Sequence, residues 1–147
     1  MFRAHHCTLS VRDLDRSVAF YGLFGFRVGV RWKAPDGAVE IVHLVLGGFV
    51  LEIFCYARNA GAVTVPRAIG NDLEVVGVKH FAVQVASLDA ARSYLVQSGI
   101  APADISGTTH GRTGIEYFFV RDPDGLWVEV VEDHRRLVPE EVERGQP

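Results

Sequence analysis

The sequence predicts an α+β protein built from two tandem copies of one βαβββ module. Three observations support this prediction: an internal repeat, the alternation of apolar and polar residues that is typical of strands, and one short helical pattern in each copy. Residues 6–26 match residues 80–100 at an offset of 74 positions. The last strand of each copy also aligns, with residues 48–54 matching residues 125–131. The chain therefore carries one structural unit twice.

The first copy begins with a strand and a helix. Residues 6–11 alternate between polar and apolar side chains, so one face of this strand is apolar and is expected to pack against the helix. The helix is expected over residues 14–24, with Asp13 as its N-cap and Gly25 as its stop. Three more strands are expected, over residues 28–33, 39–46 and 49–56.

The second copy repeats this order. Residues 80–85 alternate in the same way, and a helix is expected over residues 88–98, with Ser87 as its N-cap and Gly99 as its stop. Its remaining strands are expected over residues 100–105, 114–121 and 126–131. The predicted domain organisation is a first module at 1–57, a linker at 58–77, a second module at 78–132 and a charged tail at 133–147.

The composition limits the function classes. The 147 residues are 48% hydrophobic and carry a net charge of −3 without any basic run, so no nucleic-acid partner is expected. The N-terminus has no signal-peptide pattern, and Gly47, Gly48 and Glu52 interrupt the longest apolar stretch, so no membrane partner is expected either. With two cysteines the chain is no disulfide scaffold, and a cytoplasmic location is expected.

Four residues at equivalent places in the two copies point to a metal site. His6 and His80 begin the first strand of each copy, and Glu52 and Glu129 lie in the last strand. The alternation places both histidines on the face opposite the helix. A carboxylate among apolar neighbours is costly without a partner, and two imidazoles with two carboxylates suit a divalent transition metal. These four residues are therefore the predicted ligands.

Further polar and aromatic residues on the same strands are expected to line a substrate pocket, and the aromatic ones favour a substrate with an apolar part. These residues are Ser10, Phe54, Tyr56, Gln84 and Trp127. The other histidines carry weaker signals. His5 is out of phase with His6 and is interpreted as structural, while His43 and His110 are interpreted as ordinary satisfied or exposed histidines.

Two sequence motifs resemble a known family. Residues 6–26 follow the pattern H-x-x-x-x-V-x-D-L-x-x-S-x-x-F-Y-x-x-x-G-F, which resembles the opening of the vicinal oxygen chelate superfamily. Residues 110–132, with D-P-D-G-x-W-x-E, resemble the closing strands of glyoxalase I. The resemblance implies paired modules whose sheets form a barrel-like metal-binding cavity. It also implies a divalent ion, with nickel, zinc, cobalt, manganese and iron all open, held by His6, Glu52, His80 and Glu129.

The resemblance is nearest to glyoxalase I and methylmalonyl-CoA epimerase-like members. It implies a lyase, isomerase or epimerase that transfers a proton on a small carbonyl or thioester substrate through a metal-stabilised enediolate. Glu129 is expected to be the base and Glu52 its partner. Ser10 stands where bacterial glyoxalase I carries Arg, and Tyr56 where it carries Asn, so both residues argue against a glutathione adduct.

Two alternative functions stay open, and one oligomeric state is expected. An extradiol-type Fe(II) dioxygenase would use His6, His80 and Glu129, and a small-molecule-binding resistance protein would bind without turnover. A homodimer is expected because each sheet alone would leave an apolar concave face exposed. Whether the two modules pair within one chain or across the dimer stays open.

Overall fold

The computed structural model describes residues 3–58, 61, 73–74 and 76–135 as two four-stranded sheets, each packed on one face by a helix. The first module comprises β1 (His6–Ser10), α1 (Leu14–Gly22), β2 (Arg27–Lys33), β3 (Val39–Leu46) and β4 (Phe49–Tyr56). The second comprises β5 (His80–Gln84), α2 (Leu88–Gln97), a 3₁₀ turn (Pro102–Asp104), β6 (Thr109–His110), β7 (Glu116–Arg121) and β8 (Trp127–Glu132).

Both sheets have the same strand order. The first runs β1-β4-β3-β2 and the second runs β5-β8-β7-β6. In each sheet the first strand pairs in parallel with the last strand of its module, and the other pairs are antiparallel. This shared topology confirms the two tandem βαβββ modules that the internal repeat predicted. It also places the first and last strands of each module side by side.

The two helices begin where the sequence placed their caps. The side chains of Asp13 and Ser87 each accept a hydrogen bond from the main-chain N–H three residues later, at 2.9 and 3.3 Å. Such a bond satisfies one of the donors that a helix N-terminus leaves unpaired. The helices end one or two residues earlier than expected, and Gly25 and Gly99 follow with φ of +90° and +98°, a conformation that favours glycine.

One predicted strand is wrong. Residues 100–105 were expected to be extended, but Pro102–Asp104 forms a 3₁₀ turn. Proline has no N–H to donate to a ladder, and its fixed φ suits the start of a helical turn. Ile105 makes only an isolated bridge to Val120, and the outer strand of the second sheet is the short Thr109–His110.

The hydrophobic core runs continuously through both modules on the helix-bearing sides of the sheets. Residues that the alternation assigned to these faces, such as Val11 and Val83, are buried. Tyr21 of α1 is fully buried, and its ring lies 5.9 Å from that of Phe81 in β5. The core therefore lies on the helix-bearing faces, and the opposite faces of the sheets carry the predicted site residues.

Parts of the predicted linker and tail cannot be compared with the fold. Most of residues 58–77 and 133–147 lies outside the described residues, so the domain boundaries stay predictions. Within the described part of the chain, no helix is long and apolar enough to cross a membrane. Cys7 and Cys55 are both free thiols.

Candidate functional site

The first histidine–glutamate pair lies on the open face of the first sheet. β1 and β4 are neighbours, and His6, Thr8 and Glu52 project from the side opposite α1. The Nε2 atom of His6 lies 3.6 Å from Oε2 of Glu52. The Thr8 hydroxyl donates a 2.9 Å hydrogen bond to the same oxygen. The side chain of Glu52 is 20% exposed, and the hydrogen bond from Thr8 restrains its carboxylate.

A histidine without a predicted functional role joins this pair. His43 of β3 stands directly opposite Glu52 of β4, and its Nε2 lies 3.0 Å from Oε1 of the glutamate. The interpretation of His43 as an ordinary histidine missed this contact. In a hairpin with a two-residue turn, residues at equal distances before and after the turn pair with each other. A turn at Gly47-Gly48 therefore places His43 opposite Glu52.

These partners set the charge of Glu52. The hydrogen bond from Thr8, then the one from His43 and the nearby charge of His6, lower the pKa of the Glu52 carboxyl below its ordinary value. The group is therefore ionised at neutral pH and suited to bind a cation. His5 also contacts the pair, because its Nδ1 lies 2.8 Å from Nδ1 of His6.

The second histidine–glutamate pair occupies the equivalent place in the second sheet. The Nε2 atom of His80 lies 3.2 Å from Oε2 of Glu129, and the side chains are 25% and 12% exposed. Both residues line a cavity of about 590 Å³, together with Arg112, Tyr117 and Phe119. The Nδ1 atom of His80 is buried and has no hydrogen-bond partner among the described residues.

The residues predicted for the substrate pocket divide between two surroundings. Strand register places Ser10, Phe54 and Tyr56 on the open face beside Glu52, and the two aromatic rings stack 6.1 Å apart. The other two have different contacts. The amide of Gln84 donates to the Asp133 carbonyl at 2.7 Å, while Trp127 is buried beneath the guanidinium of Arg121, 3.9 Å from the ring centroid.

The four predicted ligands form two pairs rather than one cluster. Among the residues that the structure describes, no group of three or more His, Cys, Asp or Glu lies close enough to hold a metal ion. Two donors bound at about 2.1 Å to one ion and about 90–110° apart are separated by about 3.0–3.4 Å. The 3.6 and 3.2 Å separations lie close to this range. Each pair therefore fits half of a metal site.

An apolar patch surrounds the first pair. Val30 and Trp32 of β2 lie on the same face as Glu52, because they stand opposite His43 and Ile41 in the sheet. The side chains of Val30 and Trp32 are 55% and 49% exposed, whereas soluble proteins seldom leave large apolar patches in contact with water. Exposed apolar side chains of this kind are typical of a surface that takes part in an interface.

Comparison with known proteins agrees with the fold. A family model described as "Glyoxalase/Bleomycin resistance protein/Dioxygenase superfamily" matches residues 3–130. The chain is 31% identical to the protein YwkD of Bacillus subtilis over 130 residues, which is 87% of this chain and 94% of that protein. It is 28% identical over 142 residues to a lactoylglutathione lyase of Schizosaccharomyces pombe, covering 89% of this chain and 45% of the lyase.

Solved structures extend this similarity. The crystal structure of a glyoxalase family protein from Enterococcus faecalis is similar with a TM-score of 0.72 and 26% sequence identity. The match covers 88% of this chain and 97% of the other. The similarity therefore extends over both modules.

Proposed function

Because the chain belongs to the glyoxalase/bleomycin resistance protein/dioxygenase superfamily, as the resemblance to the vicinal oxygen chelate superfamily predicted, we propose that it is a metal-dependent enzyme that moves a proton on a small carbonyl or thioester substrate. The observation that carries this proposal is the repeated pair. His6 with Glu52 and His80 with Glu129 occupy equivalent strand positions on the two sheets. A protein that only binds a ligand has no need of two matched ligand pairs.

The chemistry of the donors supports a divalent ion. His6, Glu52, His80 and Glu129 would hold it, and two imidazoles with two carboxylates suit a transition metal. When bound, such an ion supplies Lewis-acid polarisation of a substrate carbonyl and stabilises the negative charge that develops on its oxygen. Nickel, zinc, cobalt, manganese and iron are the candidate ions, and metal analysis of the purified protein identifies the one that is bound.

Glu129 is the proposed base. Its carboxylate faces the cavity with His80, where a substrate would enter, and its side chain is shielded from bulk water. It would accept the proton from the carbon next to the carbonyl, which leaves the electron pair in an enolate or enediolate, and would then return the proton to carbon. Glu52 is its partner on the opposite sheet. The aromatic rings of Phe54 and Tyr56 favour an apolar part of the substrate.

A homodimer would complete the site. One chain carries two half sites that do not meet among its described residues, and the apolar face around Glu52 is exposed. A second copy that places its His80–Glu129 pair against this face would bring four donors together and cover Val30 and Trp32. We therefore assign the metal site to the interface between two copies of the chain.

The substrate class follows from the pocket residues and the relatives. The relative from S. pombe is named a lactoylglutathione lyase, and the reaction proposed here is of the same proton-transfer type. Ser10 and Tyr56 replace the Arg and Asn that the resemblance associates with recognition of a glutathione adduct. A thioester or 2-oxo compound without glutathione is therefore the proposed substrate class.

Metal analysis of the purified dimer, followed by proton exchange, tests the proposal. We expect a stoichiometric divalent ion and incorporation of solvent deuterium next to the carbonyl in members of a panel of acyl thioesters and 2-oxo compounds. Glu129→Gln should slow this exchange by about 10²–10⁴-fold while the protein stays folded. Glu116→Gln, a change of the same kind at an exposed glutamate in β7, should leave it unchanged.

Other results would reject the proton-transfer function. Catechol-dependent oxygen uptake with bound iron would assign the site to a dioxygenase that uses His6, His80 and Glu129. Tight binding of a panel compound without any exchange would assign it to a binding protein. A metal-free protein, or full exchange in Glu129→Gln, would contradict the proposal directly.

A further inference from the structure

The two modules differ at the positions beside their glutamates. In the first sheet Glu52 is flanked by Thr8 on β1 and His43 on β3, and both flanking residues carry hydrogen-bond donors. Each donor reaches a different oxygen. Thr8 lies 2.9 Å from Oε2, and Nε2 of His43 lies 3.0 Å from Oε1. Both oxygens of this carboxylate are therefore held by the protein.

The second sheet has no such donors at the equivalent positions. Glu129 is flanked by Ala82 on β5 and Phe119 on β7. Neither side chain can donate a hydrogen bond. Phe119 instead packs its ring edge-to-face against His80, with the centroids 5.1 Å apart. The two copies of the repeat thus share the glutamate but differ in the residues that flank it on the neighbouring strands.

We propose that His43, acting with Thr8, is a positioning residue that fixes Glu52 as a stationary metal ligand, and that the apolar neighbours of Glu129 leave this second carboxylate able to turn and carry the proton. The proposal rests on the metal-dependent function above and divides the two glutamates by role. A carboxylate held through both oxygens keeps one orientation, because turning it would break two hydrogen bonds. A carboxylate between alanine and phenylalanine loses no hydrogen bond to either flanking residue when it turns, and its contact with Nε2 of His80, at 3.2 Å, involves one oxygen.

The contact geometry assigns His43 a supporting role rather than that of a third imidazole ligand. To bond Glu52, its Nε2 must carry the hydrogen, and a nitrogen that carries a hydrogen has no lone pair for a metal. His6 lies nearest the other oxygen, Oε2, at 3.6 Å. His43 therefore stands behind the carboxylate, on the side of Oε1, and orients it toward the ion. Partners of this kind commonly change metal affinity by about 10–100-fold.

Cobalt binding by the dimeric protein tests this role without any substrate. Co²⁺ affinity and the visible spectrum of the Co²⁺-loaded protein would be compared for the wild type, His43→Leu and His43→Gln. We expect His43→Leu to weaken Co²⁺ binding by about 10–100-fold and to alter the spectrum. His43→Gln places an amide N–H near the position of Nε2 and should restore most of the affinity and the wild-type spectrum.

A matched control removes a histidine–glutamate contact elsewhere. His134 Nε2 lies 2.9 Å from Glu132 Oε1, outside the site, so His134→Leu should leave Co²⁺ binding and the spectrum unchanged. Circular dichroism and thermal unfolding of each variant would establish that it is folded. His6→Gln, which removes a proposed ligand, sets the loss expected when a direct bond to the ion disappears.

The outcomes separate this proposal from the function on which it rests. Wild-type protein that binds no Co²⁺ would overturn both. Wild-type protein that binds Co²⁺ while His43→Leu binds it equally tightly, with the same spectrum, would overturn the role of His43 alone. If His43→Gln fails to rescue and both variants lose as much as His6→Gln, His43 is a ligand and the positioning role is wrong. An equal loss in His134→Leu would also overturn it.

Discussion

The hydroxyl of Tyr21 donates a 2.8 Å hydrogen bond to Oδ2 of Asp122 across the boundary between the two modules. Tyr21 is fully buried in α1, and Asp122, in the turn before β8, is 4% exposed. The second oxygen of Asp122 accepts from the main-chain N–H groups of Asp124 and Leu126 at 2.9 and 2.8 Å. One carboxylate therefore closes a turn of the second module and binds the helix of the first.

Tyr21→Phe should destabilise the protein by about 1–3 kcal/mol, because it leaves a buried carboxylate oxygen without its donor. Chemical denaturation of the two proteins would measure the change in the free energy of unfolding. Tyr94→Phe removes the hydroxyl of a half-exposed tyrosine in α2 and should have little effect. Equal stability of Tyr21→Phe and wild type would show that the contact between the modules contributes nothing.

Because of Tyr21, we also expect the folded protein to lose stability at alkaline pH. Burial, and next the charge of Asp122, raise the pKa of Tyr21 far above the ordinary tyrosine value of 10.0. The unfolded chain therefore releases this proton above about pH 10 while the folded protein keeps it, so the stability falls as the pH rises past that value. Thermal unfolding between about pH 8 and 11 should show a shallower decline for Tyr21→Phe than for wild type or Tyr94→Phe. Parallel curves would contradict this origin of the decline.

A charge on the open face of the first sheet should separate the proposed dimer. Val30 is 55% exposed in one chain and lies on the face of Glu52, so Val30→Glu would bury a carboxylate at the interface. Sedimentation velocity at micromolar concentration should show a dimer for wild type and a monomer of about 16 kDa for this variant. Val96→Glu changes an exposed valine of α2 instead and should remain dimeric. A monomeric wild type, or a dimeric Val30→Glu, would place the interface elsewhere or remove it.

A side chain at Gly111 should be unfavourable, because Tyr117 and Ile115 crowd this position. A Cβ at this position would lie 3.0 Å from Tyr117 and 3.2 Å from both the side chain and the carbonyl oxygen of Ile115. We expect Gly111→Ala to cost about 1–3 kcal/mol and to displace the loop that borders the cavity of His80 and Glu129. Gly107→Ala meets nothing within 4 Å and should change the stability by less than about 0.5 kcal/mol. Thermal unfolding of both variants would decide, and two equal melting temperatures would contradict the crowding at Gly111.

Local patterns in the sequence were enough to predict the secondary structure of each module. The period-two alternation of residues 6–11, the caps at Asp13 and Ser87, and the repeat at an offset of 74 residues predicted the order of elements and which faces carry the core. These signals are local because each depends on neighbours within one strand or one helical turn. The expected strand at 100–105 is the exception, since the proline there suits a 3₁₀ turn better than a ladder.

Contacts between residues that are far apart in the sequence could be identified only from the tertiary structure. The position of His43 behind Glu52 depends on the pairing of β3 with β4, and the bond from Tyr21 to Asp122 joins residues 101 positions apart. The separation of the four predicted ligands into two pairs depends on how the modules dock. Composition and periodicity describe each strand but not which strand becomes its neighbour. Cross-strand register and the docking of the modules are decided by packing over the whole chain.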